Sequence, residues 1–326
     1  MTAAGRHLSS ESAVPRVIGT APAFLLAVRA ALDFAPTALP ILILGETGTG
    51  KEVLATAVHA ASRRPGPFVD VNCAAIPREM IETTLFGHRR GAFTGAHDDS
   101  AGLMEAADRG TLFLDELQSM SAEAQPKLLR VLESGELRRV GELAKRRVGV
   151  RVIAAAHPSI LSAMEHGGFR GDLLQRLAGV VVRLPALAER REDIRALAEH
   201  FADRAGARLT AMASRILEDT PWPGNVRELR MLVERAAHLS GAGVVDDHVV
   251  RRALDMRLHG AVVQNDDPAV PALPTRERVI AACMAHDWNA EATARALGLG
   301  RTTFFKHLRA LGISLRTERG DITRRV

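Results

Sequence analysis

Residues 45–52, which read Gly-Glu-Thr-Gly-Thr-Gly-Lys-Glu, constrain the fold of this chain more than any other stretch. The four residues before them, Ile41–Leu44, form an apolar run without helical periodicity, which favours a buried parallel strand. After them, apolar residues recur at helical spacing: Val53, Leu54, Ala57 and Val58. A strand, a glycine turn and a helix in this order indicate a phosphate-binding loop rather than a chance glycine turn.

In such a loop the glycines let backbone N–H groups surround phosphate oxygens, and the N-terminus of the following helix adds a favourable dipole. We therefore expect nucleotide binding, with Lys51 at the terminal phosphates. Glu52 stands where the general pattern has Ser or Thr, so the hydroxyl that normally contacts Mg²⁺ is missing. The predicted nucleotide-binding residues of the loop are Gly45, Glu46, Thr47, Gly48, Thr49, Gly50, Lys51 and Glu52.

Two further apolar stretches end in polar side chains. Residues 111–116 are a predicted strand that ends in Asp115 and Glu116, 64 residues after Lys51. Beside a phosphate-binding loop, we expect Asp115 to hold Mg²⁺, directly or through water, and Glu116 to activate the attacking water. Phe68–Asn72 is also a predicted strand, and its terminal Asn72 either hydrogen-bonds a catalytic group or caps the next helix.

A glycine-rich segment surrounds one aromatic residue, Phe93. Residues 91–96 read Gly-Ala-Phe-Thr-Gly-Ala, in a neighbourhood that otherwise has a helical pattern. A flexible tip that carries Phe93 and Thr94 is typical of a contact loop. The alternative is a glycine-rich turn that packs Phe93 into the core.

Three isolated residues allow two interpretations each. His157 follows a predicted strand over residues 148–156 and is either a phosphate sensor or a structural histidine. Arg170 and Arg176 either neutralise phosphoryl charge, supplied by a neighbouring subunit, or are ordinary surface arginines.

Several chain-wide features bound the function. The 326 residues suffice for two or three domains. The two cysteines, Cys73 and Cys283, lie far apart in sequence, as is typical of buried thiols in a reducing cytoplasm. No apolar run approaches the roughly 18 residues of a membrane span, and residues 1–15 lack a signal core, so we expect a loose tail and a cytoplasmic protein.

The C-terminal part of the sequence favours helices and carries the charge excess. From Leu187 a helical pattern continues to residue 258, which predicts an all-helical lid, and residues 259–274 are typical of a linker. Residues 275–326 hold ten Lys/Arg against five Asp/Glu, whereas the other 33 basic and 33 acidic residues cancel. A basic end on a neutral body indicates nucleic-acid binding, although a solvated charged face is an alternative.

Residues 289–311 predict two short helices joined by a tight glycine turn, which is helix-turn-helix geometry. We expect the second helix to contact bases and phosphates of double-stranded DNA, and the small core to consist of Ala292, Ala296, Leu297, Phe304 and Leu308. Its candidate DNA-binding residues are Arg301, Thr302, Thr303, Lys306, His307 and Arg309.

Together these stretches resemble the bacterial enhancer-binding proteins, which are AAA+ activators of sigma-54 RNA polymerase, over roughly residues 16–313. That family carries Glu at the position of Glu52. The resemblance implies a sigma-54 contact loop made by Gly91, Ala92, Phe93, Thr94, Gly95 and Ala96.

The resemblance also implies a role for each of the other motifs. Asp115 and Glu116 match the Walker B motif, and Asn72 matches the residue that restrains the catalytic Glu. Arg170 and Arg176 match the arginine fingers. Residues 222–229 match the second sensor motif, with Arg227 as its ATP-binding arginine, and residues 289–311 resemble a Fis-type helix-turn-helix.

Some positions differ from the family pattern. Ala156-His157 at the first sensor lacks a hydroxyl, Ala188 replaces an Arg, and Arg89 replaces an acidic residue. Because the ATPase pattern begins near residue 16, the chain resembles the minimal activators without an N-terminal regulatory domain, including the phage-shock type. Control would then come from a separate regulatory protein or from expression level.

The fold we expect is α/β, with an AAA+ core over residues 16–186, a lid over 187–258, a linker over 259–274 and an all-α DNA-binding domain over 275–326. The expected function is ATP hydrolysis with Mg²⁺ in a self-assembled ring, a hexamer by resemblance, that remodels sigma-54 holoenzyme. The alternative is a sigma-54-independent repressor or co-regulator that uses ATP only for assembly.

Overall fold

The computed structural model describes residues 17–241, 243–257, 276–286 and 288–297, together with Phe304 and Leu308. The chain divides into two compact units, with the division after Arg257. Within the described parts of the chain, no helix has both the length and the apolar character that a bilayer crossing requires.

A five-stranded parallel sheet forms the centre of the first unit, in the order β2-β5-β8-β1-β9. Its strands are β1 (Ile41–Leu44), β2 (Phe68–Asn72), β5 (Thr111–Asp115), β8 (Arg151–Ala156) and β9 (Val180–Arg183). The predicted strands over 41–44 and 68–72 are confirmed, and the strand predicted over 111–116 ends one residue earlier, at Asp115. In contrast, β8 begins at Arg151 rather than at residue 148, because Val148 donates its N–H to the carbonyl of Gly135 instead of joining the sheet.

The sheet is covered on both faces, which explains the uninterrupted apolar runs of its strands. In β1, Leu42 packs into one apolar cluster, while Ile41 and Ile43 pack into the cluster on the opposite face. The helices of this layer are α1 (Pro22–Asp33), α2 (Lys51–Ser62), α3 (Arg78–Phe86), α4 (Leu103–Ala106), α5 (Ala124–Ser134), α6 (Ile160–Glu165) and α7 (Gly171–Leu177).

Parallel register brings the polar strand ends to one edge of the sheet. Asn72 pairs with Asp115 across β2 and β5, and Leu44 pairs with Ala156 across β1 and β8. Since the loop at 45–50 follows β1, it lies at the same edge as Asp115 and Asn72. The topology therefore brings together the phosphate-binding loop and the acidic strand end, although Lys51 and Asp115 are 64 residues apart in sequence.

Two short antiparallel ribbons interrupt the α/β pattern, and sequence periodicity does not predict them. The first pairs β3 (Gly87–His88) with β4 (Ser100–Ala101), and the second pairs β6 (Glu136–Leu137) with β7 (Arg146–Arg147). The first ribbon carries the glycine-rich segment at its tip.

The lid begins with a 3₁₀ turn, Leu187–Arg190, and continues with α8 (Asp193–Arg204), α9 (Ala211–Asp219), α10 (Asn225–Ser240) and α11 (Asp247–Asp255). The side chains of Thr210 and Asp246 cap α9 and α11. The two remaining short strands, β10 (Arg208–Leu209) and β11 (Val244–Val245), pair in parallel. The predicted helical lid is therefore confirmed, but the expectation that it is all-helical is wrong, because β10 and β11 pair within it.

The second unit, described by itself, contains the helices Arg276–Ala285 and Ala290–Ala296. Its apolar cluster joins Val279, Cys283, Ala294, Phe304 and Leu308. The burial predicted for Phe304 and Leu308 is confirmed.

The expectation of a buried Ala296 is wrong, since Ala296 is exposed and Ala294 fills the core. The candidate DNA-binding residues Arg301, Thr302, Thr303, Lys306, His307 and Arg309 lie outside the described residues.

Candidate nucleotide site and contact loop

The loop at 45–50 has a backbone that only glycine adopts easily. Gly48 has φ +80°, and Gly50, directly before α2, has φ +104°. At Gly48 there is also no room, because a Cβ would lie 2.4 Å from the carbonyl oxygen of Gly224. The conformation and the packing together explain why this motif needs glycine at Gly48.

Lys51 begins α2 and turns its side chain back over the loop. Its Nζ donates hydrogen bonds to the carbonyl oxygens of Gly45 at 2.8 Å and Glu46 at 3.0 Å. Burial lowers the pKa of Lys51, and the nearby charges of Asp115 and Glu116 oppose that shift. The predicted lysine and the two predicted carboxylates therefore act on one another electrostatically in one site.

Asp115 ends β5, and Glu116 follows it in a left-handed conformation with φ +51°. The N–H of Glu116 donates to Oδ1 of Asp115 at 2.9 Å, so the two residues form a tight local turn. A non-glycine residue in this region costs on the order of 1–3 kcal/mol, and such residues concentrate at functional sites. This strain supports Glu116 as a functional residue.

Cys73 lies close enough to these carboxylates for their charges to affect its thiol. Its N–H donates to the carbonyl oxygen of Asp115 at 2.9 Å, and its side chain is buried. Burial, together with the charges of Asp115 and Glu116, raises the pKa of the Cys73 thiol to about 12. The thiol therefore stays protonated and serves as an apolar neighbour of the site.

Asn72 adopts the capping arrangement in this structure. Its side-chain oxygen accepts from the N–H groups of Ala74 at 2.9 Å and Ala75 at 3.2 Å. Because Asn72 pairs with Asp115 in register, its side chain stays at the carboxylate edge of the sheet. Restraint of Glu116 by Asn72 remains a prediction.

A cavity of about 660 Å³ extends from the phosphate-binding loop to the lid. The loop and Asp115 line it together with residues of the lead-in segment and the lid, and the lid contributes charged or polar side chains, namely Arg190, His200, Arg204 and Arg230. Its apolar wall contains Val17, Ile18, Phe24, Leu54, Leu197, Phe201 and Val226. Arg227 also lines the cavity, as predicted for an ATP-binding arginine, although its role remains a prediction.

Sequence reasoning missed three residues of the lid, of which two contact the phosphate-binding loop and one contacts the lead-in segment. Asn225 is buried with φ +53°; its Nδ2 donates to Glu46 Oε2 at 3.0 Å and to the Thr47 carbonyl at 3.1 Å. Arg190 is buried beneath the loop, and its Nη2 donates to the Thr49 carbonyl at 2.7 Å.

Asp193 is the third, and its Oδ1 accepts the N–H groups of Thr20 and Ala21 at 2.5 Å and 3.0 Å. Arg190 also stacks over the ring of Phe24, with 4.2 Å from its Cζ to the ring centroid. Neither residue belongs to a phosphate-binding pattern, so the one available signal was a charged cluster directly before a helix.

Arg170 and Arg176 lie away from this cavity. Arg170 forms a two-pronged ion pair with Asp172 at 3.0 and 2.7 Å, on an exposed surface. Arg176 donates to the Leu132 carbonyl at 2.9 Å and lines a separate pocket with Pro40 and Gly179, which precede β1 and β9. Pro40 and Gly179 mark the amino end of the strands. At about 3.3 Å per residue, the length of β1 separates this end from the phosphate-binding loop by about 13 Å.

His157 follows β8 and forms a local turn. Its Nδ1 lies 2.9 Å from the hydroxyl of Ser159, and its N–H donates to Gln118 Oε1 at 3.3 Å. These contacts fit a structural histidine, and phosphate sensing at this position remains a prediction.

The glycine-rich segment forms an exposed tip. Phe93 is 46% exposed, with its ring 5.0 Å from that of His88, so the alternative of a core Phe93 is wrong. Gly91 and Gly95 have φ +79° and +98°, and open space surrounds both Cα atoms. At the base of the tip, Arg89 pairs with Asp99 at 2.6 Å, and Ala96 is buried.

Comparison with known proteins places this geometry in a family. Residues 17–183 match the sigma-54 interaction domain, and residues 188–265 match an AAA+ ATPase lid domain. The chain belongs to the sigma-54 interaction domain family. Both the nucleotide cavity and the Phe93 tip lie within these matched ranges, whereas residues 275–326 lie beyond them.

Relatives within the family are transcription regulators by name. The chain is 42% identical over 294 residues to the Nif-specific regulatory protein of Azotobacter vinelandii, covering 85% of this chain and 55% of that protein. It is 40% identical over 269 residues to the Psp operon transcriptional activator of Escherichia coli, covering 79% and 83%.

The chain thus spans little more than half the length of the first of these relatives. Among solved structures, NtrX from Brucella abortus in complex with ATP is similar, with a TM-score of 0.68 and 33% identity over 91% of this chain and 70% of that chain. The match includes both the α/β layer and the lid.

Proposed function

We propose that this chain is a DNA-bound ATPase that hydrolyses ATP to remodel sigma-54 RNA polymerase at promoters. The observation that carries the proposal is one domain that holds both a phosphate-binding loop beside two strand-end carboxylates and an exposed, glycine-flanked Phe93. Family membership and the ATP-bound NtrX relative support this assignment.

In the proposed hydrolysis, each residue at the sheet edge has one task. Lys51 binds the terminal phosphates, and Arg227 contacts them from the lid. Glu116 takes a proton from the attacking water, since a carboxylate at the end of β5 is positioned as a general base. The catalytic set also includes Asn72, as the residue that restrains Glu116.

The donor set fits Mg²⁺. In the described part of the chain, no group of three or more His, Cys, Asp or Glu side chains converges. The protein therefore offers the carboxylates of Asp115 and Glu116 rather than a full set of metal ligands. Mg²⁺ is typically held by one or two carboxylates plus substrate phosphates. When bound, it would neutralise charge on the phosphates, with Asp115 as its protein ligand.

Arg170 and Arg176 complete the site only if a second subunit contributes them. In their own subunit, Arg176 lies at the opposite end of the strands from the loop. We therefore infer a ring, a hexamer by family resemblance, in which these arginines reach the neighbour's phosphates. Arginines supplied in this way contribute about 10³–10⁵ in rate in related phosphoryl transfers.

The remaining parts of the proposal concern partners. Residues 91–96 contact sigma-54, and the helix-turn-helix with Arg301, Thr302, Thr303, Lys306, His307 and Arg309 holds the protein on double-stranded DNA. The protein acts in the cytoplasm. The basic excess in residues 275–326 supports the DNA-binding part.

Two substitutions test the proposal. Glu116→Ala should abolish ATP hydrolysis and retain ATP binding, measured by phosphate release and by calorimetry. Thr94→Ala should retain hydrolysis and lose activation in a sigma-54 transcription assay. Full activation by the Thr94→Ala variant would contradict the contact-loop assignment, whereas a wild-type protein that does not activate in this assay would favour the sigma-54-independent regulator.

A mixing experiment tests the shared boundary. Arg176→Ala and Lys51→Ala should each be inactive alone, because one lacks the supplied arginine and the other lacks the phosphate ligand. Mixed in equal amounts, they should recover part of the ATPase activity, since some boundaries then combine two intact halves. A mixture that stays inactive would argue against a site shared in this way.

A further inference from the structure

Each backbone carbonyl oxygen of residues 45–50 accepts a hydrogen bond from another group of the protein. Lys51 Nζ holds the carbonyls of Gly45 and Glu46, and the hydroxyl of Thr49 adds a second bond to Glu46 at 2.8 Å. The carbonyl of Gly50 accepts from Leu54 within α2. Three consecutive carbonyls, those of residues 47–49, remain, and donors from the lid bind each of them.

The lid supplies a different donor to each of these three oxygens. Asn225 Nδ2 donates to Thr47 at 3.1 Å, the N–H groups of Val226 and Arg227 donate to Gly48 at 2.9 and 3.3 Å, and Arg190 Nη2 donates to Thr49 at 2.7 Å. A carbonyl oxygen that faces a phosphate repels it, whereas a backbone N–H attracts it. Donors that bind the carbonyls therefore leave the N–H side of the loop for the phosphate.

Both side chains in this arrangement are themselves fixed. Asn225 is 1% exposed, and its Oδ1 accepts the N–H of Leu187 at 2.7 Å, which orients the amide so that Nδ2 faces the loop. Arg190 is 2% exposed and is held between the ring of Phe24 and Asp193, whose Oδ2 lies 3.9 Å from Nη1. Neither side chain can turn away without leaving a buried polar group unpaired.

We propose that Arg190 and Asn225 are positioning residues for nucleotide phosphates: from the lid, they set the shape of the loop that binds the phosphates. This inference rests on the proposed nucleotide binding and goes beyond it, because it makes phosphate affinity a property of the lid. The lid then contributes Leu197, Phe201 and Val226 to the wall of the cavity and, separately, the two donors that hold the loop.

The test compares a ligand with phosphates and one without, using the full chain. Calorimetry measures the Kd of ADP and of adenosine for the wild type, Arg190→Gln and Asn225→Asp. Each variant should bind ADP about tenfold more weakly or worse, as expected for loss of a buried or charge-assisted hydrogen bond. The Kd of adenosine should change by less than about twofold, and Asn225→Asp gives the cleaner comparison because Arg190 also stacks on Phe24 of the apolar wall.

Steady-state kinetics give a second readout. The KM for ATP should rise more than kcat falls, since a misplaced loop weakens ground-state and transition-state binding alike. Arg190→Lys keeps a charged donor and should recover part of the ADP affinity. Arg191→Gln is the matched control, because Arg191 is exposed and donates to the Glu218 carbonyl within the lid.

Two results would overturn the inference while nucleotide binding itself stands. One is an ADP affinity within twofold of wild type in both Arg190→Gln and Asn225→Asp. The other is an equal loss for ADP and adenosine, which would indicate general damage to the cavity. If Arg190→Gln fails to fold, the Kd values of ADP and adenosine for Asn225→Asp decide the question, because that substitution preserves side-chain size. A wild-type protein that binds no ADP would overturn the proposed function as well.

Discussion

Two glycine-rich loops of this chain share a backbone requirement for glycine but differ in how tightly their glycines are packed. In the phosphate-binding loop, Gly48 lies against the lid, where a Cβ would meet the Gly224 carbonyl oxygen at 2.4 Å. In the contact loop, Gly91 and Gly95 have nothing within 4 Å of the corresponding position. All of these glycines have positive φ, so the backbone requirement is shared and the packing requirement is not.

This difference separates a rigid loop from an adaptable one. The carbonyls of the phosphate-binding loop are bound by Lys51, the lid and α2, which suits a ligand of fixed shape such as a phosphate chain. Phe93 has one ring contact, with His88, and is nearly half exposed. Such a tip suits a protein partner to which it must adjust.

The largest expected effect is that of Gly48→Ala. The substitution adds the left-handed backbone cost to a direct clash, so we expect a loss of about 2–4 kcal/mol in the free energy of unfolding. Nucleotide binding should fall below detection, because the loop has to move off Gly224. Urea denaturation and ADP calorimetry measure both, and near-wild-type values would refute the packing argument.

A second prediction uses the lowered pKa of Lys51. Phosphate binding needs the ammonium form, so ADP affinity should fall as pH rises through the lowered pKa, below the ordinary 10.5. In the same window the unfolded chain binds more protons than the folded one, so the Lys51 contribution to the free energy of unfolding rises with pH. Affinity and this contribution therefore change in opposite directions.

Lys51→Arg is the control for this prediction, because an arginine stays charged throughout that range. Its ADP affinity, even if weaker, should be flat where that of the wild type declines. A parallel decline in both proteins would assign the pH dependence to another group.

Gly95→Ala should have a smaller effect than Gly48→Ala. With open space around the position, only the backbone cost remains, about 1 kcal/mol in the free energy of unfolding. ATP hydrolysis should be unchanged, since none of residues 91–96 lines the nucleotide cavity. A loss comparable with that of Gly48→Ala would show that the contact loop is packed after all.

The smallest expected change in stability is that of Phe93→Ser. Because the ring is nearly half exposed, its removal should shift the free energy of unfolding by less than about 1 kcal/mol. Activation in a sigma-54 transcription assay should nevertheless be lost. Thermal melting and the transcription assay on one preparation separate the two effects, and retained activation would argue against the aromatic contact.

Much of the fold was predictable because its signals are local. The apolar runs that became β1 and β2 end at the predicted residues, β5 ends one residue before the predicted Glu116, and Thr210 caps α9. Lys51, Asp115 and Glu116 come together because parallel strands present their carboxyl ends at one edge, which a strand-loop-helix pattern already implies.

The remaining features depend on long-range contacts, which periodicity does not encode. Arg190 binds a carbonyl 141 residues earlier in the chain, and Asp193 binds N–H groups about 170 residues away. The short ribbons at 87–101 and 136–147 are likewise too brief for an alternating pattern. For Asn72, the sequence allowed either a capping role or a catalytic contact, and the three-dimensional structure shows the capping hydrogen bonds.

Arg176 holds the carbonyl of Leu132, and Arg170 holds Asp172, within their own subunit. Before either guanidinium can serve an adjacent subunit, it has to exchange that partner for the incoming phosphate. In the proposed ring, isolated protomers would hold both guanidinium groups on these internal partners, and ATP turnover would begin only after oligomerisation brings a phosphate within reach.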